Sequence, residues 1–285
     1  MYLWLKNLIS NHFSKINIVP SPIHLHLPIL NPLNFFSNTL PISKTLSTVE
    51  STSFLSLIVI IIFIIKFKST LFIATKSLKE FRILEKQVKR INNKIECAYW
   101  PIIKNSYWIS PFSNTKDLIE LTEELENCNN HLLIDLELPL DKIMIIKNLF
   151  NYFKNRKIIK DFLRSNTEKI TTAQFPSSII SLFMKILGLD YNVNVEKSFM
   201  WYSSMSPKFM NDNIKKNLIK LKNKSKYSIS LGTIAIGILG NEPILSPNKL
   251  KENLEFVKKA GFSKVIIFRL GGLNKEYIKV INKFV

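Results

Sequence analysis

From residue 95 to the C-terminus, short apolar runs alternate with amphipathic stretches, and this alternation constrains the fold more than any other feature. Strands are predicted at Ile95–Ile103, Leu132–Leu138, Ile170–Phe175, Ser198–Ser203, Tyr227–Ile236 and Lys264–Arg269. Helical spacing follows at Asp117–Leu125, Ile143–Phe153 with Lys157–Leu163, Ser178–Leu187, Asn211–Lys222, Ser246–Ala260 and Lys275–Phe284. Another helix, Ser77–Ile91, comes first, with Leu78, Phe81, Leu84, Val88 and Ile91 on one face. The best delimited helix is Ser246–Ala260. Ser246 suits its N-cap, Pro247 its first turn and Gly261 the position beyond its end, and Leu250, Leu254 and Val257 form the buried stripe.

Strand–helix alternation implies a parallel sheet. The expected fold class is α/β, a parallel (β/α)8-type TIM barrel that the visible strands leave incomplete, with an open doubly wound parallel sheet as the alternative. Neither GxGxxG nor GxxxxGK[ST] follows any strand, so no dinucleotide or P-loop site is expected, and no cofactor.

The chain divides into three parts. Residues 1–52 carry three Lys (Lys6, Lys15, Lys44), one acid (Glu50) and many Pro, Ser and Asn, and read as a poorly ordered segment or a leader. Residues 53–75 form an apolar segment whose uninterrupted core, Leu57–Ile65, is nine residues long. A membrane-spanning helix needs about 20 apolar residues, so this run reads as a first barrel strand. If Lys66 and Lys68 snorkel and the run extends to Ala74, it reads instead as a membrane anchor over residues 54–74. Residues 76–285 are the barrel domain. The expected location is membrane-associated or cytoplasmic, according to which reading of 53–75 holds.

The net charge of +19 admits nucleic acid, an anionic membrane or an acidic substrate as partner. Its densest run, Lys215 to Lys226, reads as the solvated face of a helix and the loop after it, with Leu218 and Leu221 on the apolar side. No nucleic-acid-binding motif accompanies it, and no nucleic-acid partner is expected. Cys97 and Cys128 lack metal-ligand spacing and read as small buried hydrophobes. His24 and His26 have no carboxylate or Cys near them, and no metal site is expected.

In a parallel barrel the reactive groups sit at the C-terminal ends of strands. The strongest such end is Leu132-Leu133-Ile134-Asp135-Leu136-Glu137-Leu138-Pro139. Period-two alternation places Asp135 and Glu137 on one face, in apolar surroundings. Burial and mutual repulsion raise the pKa of at least one, as a general acid requires. The bland alternative pairs both with a cation such as Arg269. Other strand ends supply candidate substrate-binding groups: Tyr99 and Trp100, then Trp108 in the following loop, Gln174, Trp201 and Tyr202, Glu242, and Arg269 before Gly271-Gly272. Aromatic rings stack on sugar rings, and equally fill cores. An arginine clamps anions or neutralises carboxylates.

Asp135-Leu136-Glu137-Leu138-Pro139 resembles the end of the strand-four motif of the chitinase-like glycoside hydrolases of family 18, and Met200-Trp201-Tyr202 resembles that family's Met-x-Tyr-Asp strand. The resemblance implies a TIM barrel in which Glu137 is the general acid, Asp135 assists it and Tyr202 orients the substrate. It covers about a dozen residues in two strands. The family's further aspartates are replaced here by Asn130, Leu133 and Ser203.

Three functions are consistent with these residues. The first is a barrel hydrolase acting on a carbohydrate or related polyol, with Asp135 and Glu137 catalytic and a small molecule or glycan as partner. The second is a membrane-anchored, non-catalytic binding or structural barrel. The third is an enzyme of an anionic, phosphorylated sugar that uses Arg269.

Overall fold

The computed structural model describes residues 65, 68–103, 106–139, 141–175, 183–236 and 240–285. Residues 1–52 and the run Leu57–Ile64, on which the strand-or-anchor reading turned, lie outside them. Among the described residues no helix is long and apolar enough to cross a membrane.

Among the described residues seven strands form one sheet: β1 (Ser69–Thr75), β2 (Ile95–Pro101), β3 (Leu132–Asp135), β4 (Ile170–Gln174), β5 (Glu196–Trp201), β6 (Tyr227–Gly232) and β7 (Val265–Phe268). Every neighbouring pair is parallel, and the spatial order is the sequence order, β1 through β7. A doubly wound sheet requires the order to reverse at a switch point. It never reverses here, so the crossovers keep one hand and all the helices cover one face. The sheet curls away from them as a TIM-barrel-type half-barrel, and the doubly wound alternative is excluded.

Six of these strands match the runs predicted after residue 95, and β1 lies at the C-terminal end of the apolar segment 53–75. The helices are α1 (Leu78–Ile91), α2 (Thr115–Glu126), α3 (Lys142–Lys147), α4 (Tyr152–Ser165), α5 (Lys208–Lys220), α6 (Pro247–Lys259) and α7 (Lys275–Ile281). Local chemistry sets their ends. The Ser77 hydroxyl accepts from Glu80 N at 3.3 Å and starts α1. Ser246 does the same for α6 through Lys249 N, Pro247 opens its first turn, and Gly261 at φ +87° follows its end. An N-cap of this kind contributes about 1 kcal/mol.

The core fills the layer between sheet and helices. One cluster joins the outer face of β1–β4 to the first helices through Phe81, Tyr99, Leu118, Leu132, Ile134 and Leu163. A second joins β5–β7 to α5–α7 through Trp201, Leu218, Ile229, Leu231, Leu250 and Val257. Cys97 and Cys128 are free thiols buried in the first cluster. On α5, Ile214 and Leu218 are buried, Lys215 lies 5.7 Å from the Trp201 ring, and Lys216 and Lys220 are exposed.

Successive side chains on a strand point to opposite faces. Once Tyr99, Ile134, Trp201 and Leu231 are fixed in the helix layer, their neighbours Trp100, Asp135, Tyr202 and Gly232 must face the concave side. This parity assembles the site.

Candidate active site

The concave side encloses a cavity of about 1070 Å³. Towards the C-terminal ends of the strands it is lined by Trp100, Tyr107, Asp135, Tyr202, Phe268 and Arg269. Deeper, its walls are partly polar. Thr171 bonds His131 Nε2 at 2.8 Å, and Ser230 bonds Ser198 at 2.7 Å. A barrel interior packed only for stability would present branched apolar side chains instead.

Asp135 ends β3 and is 7% exposed. Burial raises its carboxyl pKa to about 7, and a hydrogen bond from Trp108 holds it below where burial alone would take it. Its Oδ1 has no hydrogen-bond partner among the described residues. Two residues on, Glu137 returns to the same face. Burial, and then the charge of Asp135, raise its pKa well above the ordinary carboxylate range. The two groups are coupled, so protonating either relieves the other.

Aromatic rings surround the pair. Trp100 meets Tyr107 edge-on at 6.1 Å and Phe268 at 6.2 Å. Tyr107 meets Trp108 at 5.4 Å, and Tyr202 stacks on Phe268 at 5.8 Å. Gly232 permits that last stack, since a Cβ there would lie 2.7 Å from the Phe268 carbonyl oxygen and 3.4 Å from the Tyr202 ring. Burial, reinforced by the charges of Asp135 and Glu137, keeps the Tyr107 and Tyr202 hydroxyls protonated. Both are donors beside the carboxyls.

The loop that supplies Tyr107 and Trp108 is held from below. Ser106 Oγ donates to Trp108 O at 2.8 Å, and Ser113 Oγ accepts from Ser110 N at 3.1 Å. Buried Asn155 on α4 donates to the carbonyls of Pro111 and Ser113 at 2.9 and 2.8 Å. Such support keeps the Trp108 indole aimed at Asp135.

Arg269 follows β7 and is partly buried. Its Nε has no partner among the described residues, burial lowers its pKa, and the charge of Glu242 acts against that. Glu242 is 8% exposed, on the loop after β6. That loop is pinned by Thr233 Oγ1 to Pro243 O at 2.9 Å and by Tyr277 OH to Leu245 O at 2.6 Å.

Thus Asp135, Trp100, Tyr202 and Arg269 line one mouth, where Trp108 bonds Asp135, Glu137 is coupled to Asp135, and the charge of Glu242 acts on Arg269. Three of the residues predicted from sequence do not join them. Tyr99 is fully buried on the helix side, stacked on Phe81 at 5.0 Å. Trp201 is likewise fully buried, and its indole donates to Asn211 at 2.9 Å. Gln174 faces the helix layer and donates to Asp190 at 3.0 Å, beside the Lys197–Asp190 ion pair. Strand parity is the reason in each case. Conversely, Tyr107, Phe268 and Gly232 belong to the mouth and were not singled out. The clustering of aromatics over residues 99–112 was a visible signal for Tyr107 alone, and nothing in the local pattern marked Phe268 or Gly232. Among the described residues no cluster of His, Cys, Asp and Glu could hold a metal ion. Ser203, standing where the family 18 pattern has an aspartate, accepts from Asn253 on α6 at 2.7 Å and is directed away from the mouth.

No protein-family model matches the sequence, and no curated protein matches it. The fold is similar to the PgaB (BpsB) glycoside hydrolase domain from Bordetella bronchiseptica, at TM-score 0.45 and 10% identity over 85% of this chain and 92% of that one. It is similar to a xylose isomerase domain protein from Planctomyces limnophilus, at TM-score 0.48 and 10% identity over 79% and 89%. It is also similar to a glycoside hydrolase family 5 enzyme from Prevotella bryantii in complex with a xyloglucan tetradecasaccharide, at TM-score 0.42 and 11% identity over 80% and 84%. These are likenesses of fold. The barrel assignment rests on the strand order itself, and family 18 is not singled out.

Proposed function

We propose that the mouth hydrolyses a glycosidic bond in a carbohydrate or related polyol, with Glu137 as the general acid and Asp135 as its partner. One observation carries this reading. The Asp135 carboxyl, raised to about 7 on the inward face of β3 in a roomy cavity ringed by aromatics, is coupled to Glu137 just beyond the strand, itself raised well above the ordinary carboxylate range. An ordinary carboxylate is ionised at neutral pH and has no proton to give. Glu137 keeps its proton and delivers it to the leaving oxygen as the bond to the anomeric carbon breaks. Asp135, partly ionised near pH 7, faces the positive charge that develops on the sugar ring. Water adds at the anomeric carbon, and its proton returns to the carboxyl pair. Trp100 and Phe268 offer ring faces to the sugar, and Tyr107 and Tyr202 offer hydroxyl donors.

A second reading is favoured by Arg269. A buried guanidinium Nε without a partner at the mouth fits a substrate with an anionic substituent, as on a phosphorylated sugar.

The test is a panel of neutral and phosphorylated glycosides offered to the full chain and to its Glu137→Gln variant. Turnover should fall about 10²–10⁴-fold in the variant while thermal unfolding is unchanged. Full turnover by a folded Glu137→Gln protein removes Glu137 from the chemistry. Glycan binding by the wild type without turnover supports the non-catalytic barrel. A raised KM in Arg269→Lys for phosphorylated members alone selects the second reading.

A further inference from the structure

The connection from β3 to α4 carries an apolar surface that its own residues leave exposed. In α3, Lys-Ile-Met-Ile-Ile-Lys, no residue is buried, and none is in the following turn, Leu149–Asn151. Phe150 is 96% exposed, Phe153 79% and Ile146 71%, and Ile143 is exposed beside them. The segment before β5 extends the patch with Phe183 and Ile186. The two segments are joined by hydrogen bonds from Tyr152 OH to Ile186 O and from Arg156 Nη2 to Lys185 O, the latter at 3.0 Å. Monomers seldom expose contiguous apolar area of this kind without a use for it.

Charge identifies the occupant. Between residues 142 and 160 stand six cations, Lys142, Lys147, Lys154, Arg156, Lys157 and Lys160, and no acid. Lys142, Lys147, Lys154 and Lys157 are exposed, as is Lys185 in the neighbouring segment. A second copy of this chain would bring cation against cation. Nucleic acid would leave the Ile and Phe side chains in water. Isoleucine and phenylalanine flanked by lysine are the pattern of a segment lying in the headgroup region of an anionic bilayer, with the rings among the acyl chains and the ammonium groups among the phosphates.

We propose that this face, the β3–α4 connection together with residues 183–186, docks the domain onto an anionic lipid bilayer. The inference does not depend on the hydrolase reading, nor on whether residues 54–74 enter a membrane. It does fix an orientation. The chain runs from Asp135 and Glu137 directly into α3, so the rim of the mouth on that side lies beside the bilayer.

The experiment places a polarity-sensitive dye on Phe150→Cys in the full chain, the two native thiols being buried. A control dye sits on exposed Lys251→Cys in α6. Vesicles of phosphatidylcholine with one-quarter phosphatidylglycerol should blue-shift the first dye and leave the second unchanged. Pure phosphatidylcholine should do much less, and high salt should reverse the shift. Lys147→Ala and Lys154→Ala should each weaken the dye-reported partitioning about fivefold. Four results overturn the proposal. They are no shift on anionic vesicles, equal shifts on neutral ones, equal shifts of both dyes, or an apolar signal without vesicles. The last would mean a second copy if it grows with protein concentration, and cover by the chain's own residues if it does not.

Discussion

At the level of single residues, Trp108 governs how far the Asp135 carboxyl departs from an ordinary one. Burial raises it, and the indole hydrogen bond lowers it. Trp108→Phe keeps a ring but removes the donor, so the Asp135 pKa should move above about 7 and any activity profile should shift to higher pH with it. An unshifted profile would separate Trp108 from Asp135. The two tryptophans at strand ends should behave in opposite ways. Trp201→Ala empties a fully buried site and should cost about 3–5 kcal/mol of stability. Trp100→Ala should instead weaken ligand binding more than it lowers Tm. Equal effects on stability would show that Trp100 is core as well. This contrast marks the limit of legibility in the sequence. Tyr99-Trp100 and Trp201-Tyr202 are adjacent pairs, and a strand turns one member of each outward. Both faces here are apolar enough to take an aromatic, so composition could not set the parity. At Asp135 and Glu137 it could, because the apolar residues at alternate positions belonged to the helix layer.

Among the elements, the loop over residues 106–113 is a built part of the mouth. Asn155→Ala would leave the Pro111 and Ser113 carbonyls without their buried donors. It should cost about 2 kcal/mol and loosen Trp108, which thermal unfolding and tryptophan fluorescence would report together. Gly232→Ala should force Phe268 or Tyr202 aside, and a folded variant with unchanged ligand affinity would contradict the role given to that stack. Helix α6 was legible from Ser246, Pro247 and Gly261, because caps are local chemistry. Strand β1 was not. Ser69–Thr75 follows a longer, more strongly β-branched run, Leu57–Ile65, which overshadows it in the sequence and of which residues 57–64 lie outside the described residues. What defines β1 is its seven-position register with β2, a tertiary fact that local pattern does not carry.

For the whole molecule, the carboxyl pair makes stability depend on pH in an unusual sense. The folded pKa of Asp135 lies near 7 and that of Glu137 well above its ordinary value, whereas both unfold to ordinary carboxyls. The native state therefore holds more protons than the unfolded state across the window from about pH 4 to 7, and stability falls as pH rises through it. His131 opposes this, since burial lowers its pKa and its contribution is lost as pH falls. The difference between wild type and Asp135→Asn cancels His131 and isolates the pair. Tm should fall from about pH 5 to about pH 8 more steeply in the wild type than in the variant. Parallel curves would mean that Asp135 titrates normally. The fold was legible at this scale because strand–helix alternation and a sequential strand order are one property, seen in the chain and in space. The protonation state of the mouth can be read without any substrate, by following side-chain carboxyl carbons through an NMR pH titration and assigning them with Glu137→Gln and Asp135→Asn. A Glu137 carboxyl that ionises well above the ordinary carboxylate range, with Asp135 titrating near 7, is the predicted result; two carboxyls that both ionise in the ordinary range near pH 4 would contradict it.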